Sequence, residues 1–236
     1  MKTIICHILF FLGITLMYSC EKDNYETPNA VLQGTVIDAH DVPLQLEQGQ
    51  GTGRIRMEET SWSDTPIPFY LNLKQDGSYV NNKLFAGTYL VTPVEGAFYP
   101  VQGETIEING STQHDFHVTP YLQVEWVNEP TVLAGGQVTA TFKFTRNAGP
   151  AGEAMPNLLD YQLFISTTQY VGNNNFDGTV VGGVVSVAND KENMPITITS
   201  TAPMKYATTY WVRVGVRVND SYKKYNYTTI KTVTVP

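Results

Sequence analysis

Four side chains on predicted loops have the chemistry to bind a sugar. Trp62 and Asp64 stand in a proline-rich stretch, Tyr99 stands beside another proline, and Tyr222 follows a predicted turn. A flat aromatic ring can cover the apolar face of a sugar, while carboxylate or amide groups bind its hydroxyl edges. Loop aromatics more often cover their own core, which is the alternative at each position. We predict that these four residues contribute to ligand binding.

The residue types needed for catalysis do not come together in the sequence. His114 and His117 are three positions apart, which on a strand places them on opposite faces and disfavours the alternative of a zinc site. Glu58 and Glu59 also point apart on a strand, so they cannot act as the acid and base of a glycosidase. The G-x-S-x-G motif of hydrolases does not occur. We therefore predict no enzyme activity, no metal and no cofactor.

The cysteines and the N-terminal segment indicate a secreted chain. Residues 1–19 combine Lys2 with an apolar run, which is typical of a signal peptide and too short for a transmembrane helix. Removal of this segment takes Cys6 with it and leaves Cys20 as the sole cysteine, so disulfides and cysteine-bound metals are excluded.

Residues 16–20 resemble a bacterial lipobox, with Ser19 directly before Cys20. The acidic residues that follow resemble the surface-export signal of Bacteroidota lipoproteins. The resemblance implies that Cys20 is acylated and that its acyl groups anchor the chain in the lipid of the outer membrane. The chain would then be exposed at the cell surface. Residues 20–30 would form a flexible tether, because so few apolar side chains cannot repay the entropy of ordering. An ordinary secretory signal is the alternative.

Composition and charge exclude some partners. The chain has 236 residues, of which 42% are hydrophobic and 16% charged, as in globular domains. Its formal net charge of −7 argues against a nucleic-acid partner, because phosphate binding needs a basic surface.

Glycine turns organise the elements that carry these side chains. Asp76-Gly77 predicts that a strand at residues 69–74 reverses into a strand carrying Tyr79. Asn109-Gly110 predicts a hairpin in which residues 115–118 return beside residues 105–108. Residues 47–53 contain three glycines and predict a mobile loop.

The pattern D-G-x-Y, a polar spacer, then L-F-x-G-x-Y occurs in residues 76–89. It resembles the carboxypeptidase-regulatory-like (transthyretin-like) sandwich, with Ala86 in place of a proline. Residues 32–121, with Asn82, Leu84-Phe85, Pro100 and Asp115-Phe116 among them, resemble a family of Bacteroidota outer-membrane lipoproteins. The resemblance implies a β-sandwich at residues 31–119, a fold that binds and tethers more often than it catalyses.

Residues 120–236 contain about seven short alternating strands, which predict an immunoglobulin-like sandwich. Residues 204–214 resemble the fibronectin type III pattern L-x-P-x-T-x-Y-x-V-x-V, with Tyr206 in place of the usual proline. The resemblance implies that Tyr210 forms a tyrosine corner. The predicted fold class is therefore all-β, with two tandem β-sandwiches.

Trp211, Arg213 and Arg217 share one face of a predicted strand. Two interpretations remain open: a cation–π ladder on an outer sheet, and a ligand platform.

These patterns together favour a non-catalytic surface lipoprotein that captures a glycan or nutrient. The alternatives are a structural spacer or adhesin subunit, an accessory subunit that contacts an outer-membrane transporter or another lipoprotein, and a cryptic hydrolase.

Overall fold

The computed structural model describes residues 27–49, 51–150 and 152–236. The predicted signal peptide, Cys20 and most of the predicted tether lie outside the described residues. Within the described part of the chain, no helix is long and apolar enough to cross a membrane. The described fold is almost entirely β, and a 3₁₀ turn at Asn189–Lys191 is its one helical element.

Eight strands form the first β-sandwich. They are β1 (Ala30–Ile37), β2 (Arg54–Glu59), β3 (Phe69–Asn72), β4 (Ser78–Leu84), β5 (Gly87–Val94), β6 (Glu104–Ile108), β7 (Ser111–Gln113) and β8 (Phe116–His117). One sheet has the order β4-β1-β7, with β8 also paired to β1, and the other has the order β3-β2-β5-β6. Apolar side chains alternate along these strands and meet in one core between the sheets.

The glycine turns of the first sandwich connect its two sheets. The chain reverses at Asp76-Gly77 as predicted, but β3 pairs with β2 whereas β4 pairs with β1. After Asn109-Gly110 the chain forms β7, which runs parallel to β1, so the predicted hairpin with β6 is wrong. Crossing between the sheets lets Ile108 and Phe116 fill the core from opposite sides.

The strands of the first sandwich run between two ends, which we call the tip and the seam. The tip carries the start of β1, the β4–β5 turn, the β6–β7 turn and the loop of residues 60–68. Pairing of Ala30 with Leu84, and a hydrogen bond of 3.0 Å from Thr88 N to Ser61 Oγ, hold these parts together. The seam lies at the other end, where β1 and β5 finish and β2 begins.

Eight further strands form the second β-sandwich. They are β9 (Leu122–Val132), β10 (Val138–Arg146), β11 (Leu158–Ser166), β12 (Val185–Ser186), β13 (Ile196–Thr199), β14 (Thr209–Val218), β15 (Tyr225–Tyr227) and β16 (Lys231–Thr234). One sheet has the order β13-β10-β9, and the other has the order β12-β11-β14-β15, with β16 also paired to β14. The Tyr210 hydroxyl accepts a hydrogen bond of 2.9 Å from Tyr206 N and donates one of 3.2 Å to Tyr206 O, as a tyrosine corner does.

Buried polar contacts join the two sandwiches at the seam. Asn226 Nδ2 donates a hydrogen bond of 2.9 Å to Ala97 O, and both residues are buried. Arg213 is fully buried and donates from Nη2 to Leu46 O. The first sandwich therefore covers part of the sheet formed by β11, β14 and β15.

Candidate ligand-binding site

Tyr99 is not available to a ligand, which corrects the sequence prediction. It exposes only 2% of its surface, and its ring packs against Tyr121 with the ring centroids 4.7 Å apart. Its hydroxyl donates a hydrogen bond of 3.0 Å to Asn147 O. The reason is its position: the loop that carries Tyr99 lies at the seam, where the second sandwich covers it.

Trp62 and Asp64 are exposed on the tip loop. Trp62 exposes 76% of its surface and lines a pocket of about 350 Å³ together with Ile67 and Phe69. Asp64 is exposed on the same loop but does not line this pocket. Ligand binding by these two residues stays a prediction.

Tyr222 is half exposed on the loop between β14 and β15. It lies near the seam end of β2, where Arg54 pairs with Glu95. The hydrogen bond between Arg54 and Glu95 is the main reason that the pKa of Arg54 lies above its ordinary value. The nearby side chains of Tyr70 and Tyr222 contribute in the same direction. Ligand binding by Tyr222 also stays a prediction.

The structure does not bring Trp62 and Tyr222 into one site. The strand β2 separates them, since Trp62 follows its tip end and Tyr222 lies near its seam end. Five residue steps along a strand span about 17 Å. One small sugar cannot contact both side chains.

A different pocket lies at the seam, between the two sandwiches, and we call it the interdomain pocket. Its volume is about 430 Å³, and it is lined by Glu47, Gln48, Gly49, Tyr170, Val171, Gly172, Asn174 and Asn175. The first three belong to the glycine-rich loop of the first sandwich and the rest to a loop after β11. Tyr170 exposes 49% of its surface, so its ring is accessible from the pocket. Clefts between domains are frequent ligand sites.

The carboxylate of Glu47 connects the two sandwiches at this pocket. Its Oε1 accepts a hydrogen bond of 2.6 Å from Asn174 N, and its Oε2 accepts one of 2.8 Å from the Tyr227 hydroxyl. The loop across from it is closed by paired backbone hydrogen bonds between Gly172 and Asn175. The walls of the interdomain pocket are therefore held by contacts within the protein.

Arg213 lies beneath the same contacts. Its guanidinium carbon lies 3.5 Å from the centroid of the Tyr227 ring, and its Nε and Nη1 have no hydrogen-bond partner among the described residues. A Cβ at position 172 would lie 2.9 Å from Glu47 Oε1 and 3.2 Å from Arg213 Nη2, so a side chain at position 172 would displace the carboxylate of Glu47 or the guanidinium of Arg213.

Burial sets the protonation of this cluster. It lowers the pKa of the Arg213 guanidinium and raises the pKa of the Tyr227 hydroxyl well above its usual value. An arginine nonetheless stays charged in a protein, and a neutral phenol can donate a hydrogen bond. Tyr227 therefore remains a donor to Glu47 at neutral pH.

The arginines of β14 pair with tyrosines of β15. Arg213 stacks on Tyr227, and Arg217 lies 4.7 Å from the centroid of the Tyr225 ring. The cation–π interpretation thus describes the contacts, with tyrosines in place of Trp211 as the partners. Arg213 has no exposed surface, so the alternative of a ligand platform is wrong for it.

No group of three or more potential metal ligands occurs among the described residues. His114 lies 3.1 Å from Glu104, and His117 lies 3.0 Å from Asp41. His114 lies between β7 and β8 and not on a strand, and the two histidines face different acids.

The interdomain pocket offers one accessible aromatic ring together with carboxylate and amide groups. Sequence reasoning predicted the glycine-rich loop but did not single out Tyr170. The run of three asparagines at residues 173–175, three positions after this tyrosine, was the available signal, since amides beside an aromatic ring suit a polar ligand.

Both halves of the chain match described sequence families. Residues 30–119 match "Protein of unknown function (DUF3823) N-terminal domain", and residues 127–232 match "Domain of unknown function (DUF3823_C)". A comparison with curated proteins gives no match.

Similar solved structures share the two-domain architecture. A DUF3823 family protein from Bacteroides uniformis is 23% identical, with a TM-score of 0.79 over 89% of this chain and 100% of that chain. A DUF3823 family protein from Parabacteroides merdae is 18% identical, with a TM-score of 0.71 over 89% and 100% of the two chains. A "putative carbohydrate binding protein" from Bacteroides uniformis is 25% identical, with a TM-score of 0.70 over 88% and 100%.

Proposed function

We propose that this chain, which belongs to the DUF3823 family, is a non-catalytic glycan-binding module that an acyl group on Cys20 holds at the outer membrane. The site we propose is the interdomain pocket, with Tyr170 as the surface on which a sugar ring stacks. The observation that supports this site is the half-exposed side chain of Tyr170 in a pocket whose other walls are mostly amide and carboxylate groups.

The chemistry of the pocket supports a neutral sugar as the ligand. Its one acidic side chain, Glu47, is already engaged by Asn174 and Tyr227, and Arg213 is covered. An aromatic face with amide neighbours binds the apolar face and hydroxyl edge of a sugar without needing a charge on it. The similar protein from Bacteroides uniformis whose name refers to carbohydrate binding supports the same class of ligand.

Loss of Tyr170 tests this proposal. We expect Tyr170→Ala to weaken glycan binding at least about fivefold, because a central aromatic contact contributes more than about 1 kcal/mol. The melting temperature should change little, since half of the side chain is already exposed. The measurement is a glycan array on the chain that begins after Cys20, followed by calorimetry with the strongest ligand. Tyr206→Ala is the matched control, because Tyr206 exposes 64% of its surface on the same sandwich and does not line the pocket.

The same assay evaluates the positions predicted from sequence. Trp62→Ala and Tyr222→Ala should leave binding unchanged if the ligand occupies the interdomain pocket. Loss of binding in either variant, with Tyr170→Ala unaffected, would move the site to the tip or to the β14–β15 loop.

A structural spacer is the second candidate function, and the buried contacts at the seam favour it. Contacts such as Arg213 with Leu46 and Asn226 with Ala97 join the seam of the first sandwich to a sheet of the second, which gives the rigid connection that a spacer requires. A chain that binds no glycan on the array would support the spacer function.

A further inference from the structure

The two most exposed large apolar side chains among the described residues lie on one loop at the tip. Ile67 exposes 89% of its surface and Trp62 exposes 76%. Phe85, in the neighbouring β4–β5 turn, exposes 45%. Several exposed aromatic and aliphatic side chains at one end of a domain are typical of an interaction surface.

The tip is also the end of the sandwich where the chain enters from its N-terminus. Ala30 begins β1 and pairs with Leu84, the residue before Phe85. The next strand begins at Gly87, whose neighbour Thr88 donates to Ser61 Oγ beside Trp62. The exposed apolar side chains therefore lie at the same end of the sandwich as the point at which residues 20–30 reach the folded domain.

The tether is too short to let the tip move far from its anchor. Ala30 lies ten residues after Cys20, which is at most about 35 Å when fully extended. Tethering at this range gives a high effective concentration, so a weak affinity of the tip for lipid is sufficient for contact.

We propose that the tip rests on the lipid surface beside the anchor, with Trp62, Ile67 and Phe85 inserted into the headgroup region. This inference rests on the proposed acylation of Cys20. Tryptophan favours the interface between lipid and water, and the aliphatic and phenyl groups favour its apolar side. Glu59 and Asp64 beside Trp62, together with Glu107 at the end of β6, outnumber Lys83 beside Phe85, so the charge of the tip disfavours anionic lipids and fits a zwitterionic surface.

This contact orients the molecule. The eight residues of β1 run from the tip to the seam over about 26 Å, and the second sandwich begins beyond the seam. The second sandwich and the interdomain pocket then point away from the membrane.

Fluorescence quenching tests the lipid contact. The chain beginning at Glu21, with an N-terminal hexahistidine in place of the acylated cysteine, is bound to vesicles of brominated phosphatidylcholine that contain a nickel-chelating lipid. This chain keeps every described residue. We expect the bromine atoms to quench the emission of Trp62, and we expect Trp62→Phe to lose that quenching. Trp126→Phe is the control: it should retain the quenching, because Trp126 lies in the second sandwich on β9.

A tethered chain whose quenching is absent, or is the same in Trp62→Phe as in the unmodified chain, would overturn the proposal and leave a protein partner as the occupant of the tip. Replacing part of the phosphatidylcholine by an anionic lipid should reduce the quenching, and an increase would contradict the role given to the acidic side chains. The acylated chain in the same vesicles should behave identically.

The outcome is separable from that of the proposed function. Trp62-dependent quenching by a chain that binds no glycan would support the tip and overturn the glycan site. Glycan binding without quenching would do the reverse. A full-length chain that fails to join the membrane fraction would overturn the anchor and with it the proposed contact of the tip, whatever the hexahistidine-tethered chain shows, while leaving the glycan site unaffected.

Discussion

At the scale of single residues, Glu47 joins the two sandwiches at the seam through both of its carboxylate oxygens. Its two oxygens bind a backbone N–H of one loop and the hydroxyl of Tyr227, and its charge faces the covered guanidinium of Arg213. A buried arginine without a nearby negative charge is strongly destabilising, whereas a half-exposed ion pair contributes little. The cost of losing the Glu47 charge should therefore exceed that of losing an exposed acid.

We predict that Glu47→Gln lowers the free energy of unfolding by about 2 kcal/mol. Glutamine can still accept from Asn174 N and donate to the Tyr227 oxygen, so the change isolates the effect of the charge. The measurement is urea unfolding of the chain that begins after Cys20. Glu95→Gln is the matched control, because the Glu95–Arg54 pair at 2.5 Å is partly exposed on both sides and should contribute less than about 1 kcal/mol. Equal effects of the two substitutions would show that Arg213 gains nothing from Glu47.

Residue types in the sequence indicate which side chains suit a ligand but not which remain exposed. Trp62 and Tyr99 both satisfied the criterion of an aromatic residue on a predicted loop. Trp62 exposes 76% of its surface and Tyr99 only 2%, because the second sandwich covers one loop and not the other. That covering depends on contacts between distant parts of the chain, which local patterns do not contain.

At the scale of elements, the turn at Gly77 is tightly enclosed. Gly77 has a φ of 76°, and a Cβ there would lie 2.8 Å from Val36 O and 3.0 Å from Leu44 O. These atoms are backbone, so they cannot rotate away as a side chain can. Gly110 has a similar φ of 62°, but a Cβ there would meet nothing within 4 Å.

We predict that Gly77→Ala destabilises the chain by about 3 kcal/mol or more, and Gly110→Ala by only about 1 kcal/mol. Both substitutions impose the strain of a left-handed backbone, but only the first also forces the end of β1 apart from the Leu44 segment. Thermal unfolding followed by circular dichroism compares the two variants directly. If both lose the same stability, the close approach at Gly77 costs nothing and only its backbone conformation matters.

Alternation predicted the strands well, and glycines predicted the turns, but the pairing partners required the structure. Asn109-Gly110 forms a turn in the structure, as the sequence predicted, yet β7 pairs with β1 and not with β6. The local sequence specifies that the chain reverses. Which sheet the next strand joins is decided by core burial, here of Ile108 and Phe116 from opposite sides.

At the scale of the whole molecule, the seam creates features that neither sandwich has alone. Glu47 and Tyr227 are 180 residues apart in the chain, and the pocket between their loops exists only when both sandwiches are docked. Sequence patterns within each half predicted two sandwiches but could not predict this pocket, since its residues show no periodicity and come from two loops. The proposed glycan site is therefore a property of the docked pair.

Each sandwich has its own apolar core, apart from Tyr99, which packs into the core of the second, so we predict that residues 31–119 and 120–236 can each fold alone. We predict that the joined chain melts in one calorimetric transition, and that residues 120–236 alone melt about 10 °C lower than the joined chain. The isolated half loses partners such as Leu46, Glu47 and Ala97, at about 1 kcal/mol for each hydrogen bond. For a domain of about 100 residues, each kcal/mol of lost stability lowers the melting temperature by about 4 °C or more.

Glu47→Gln in the joined chain should move its melting transition toward that of the isolated half. Two transitions in the joined chain at the temperatures of the separate halves would mean that the seam adds no stability, and a lack of cooperative melting in both halves would indicate a single intertwined domain.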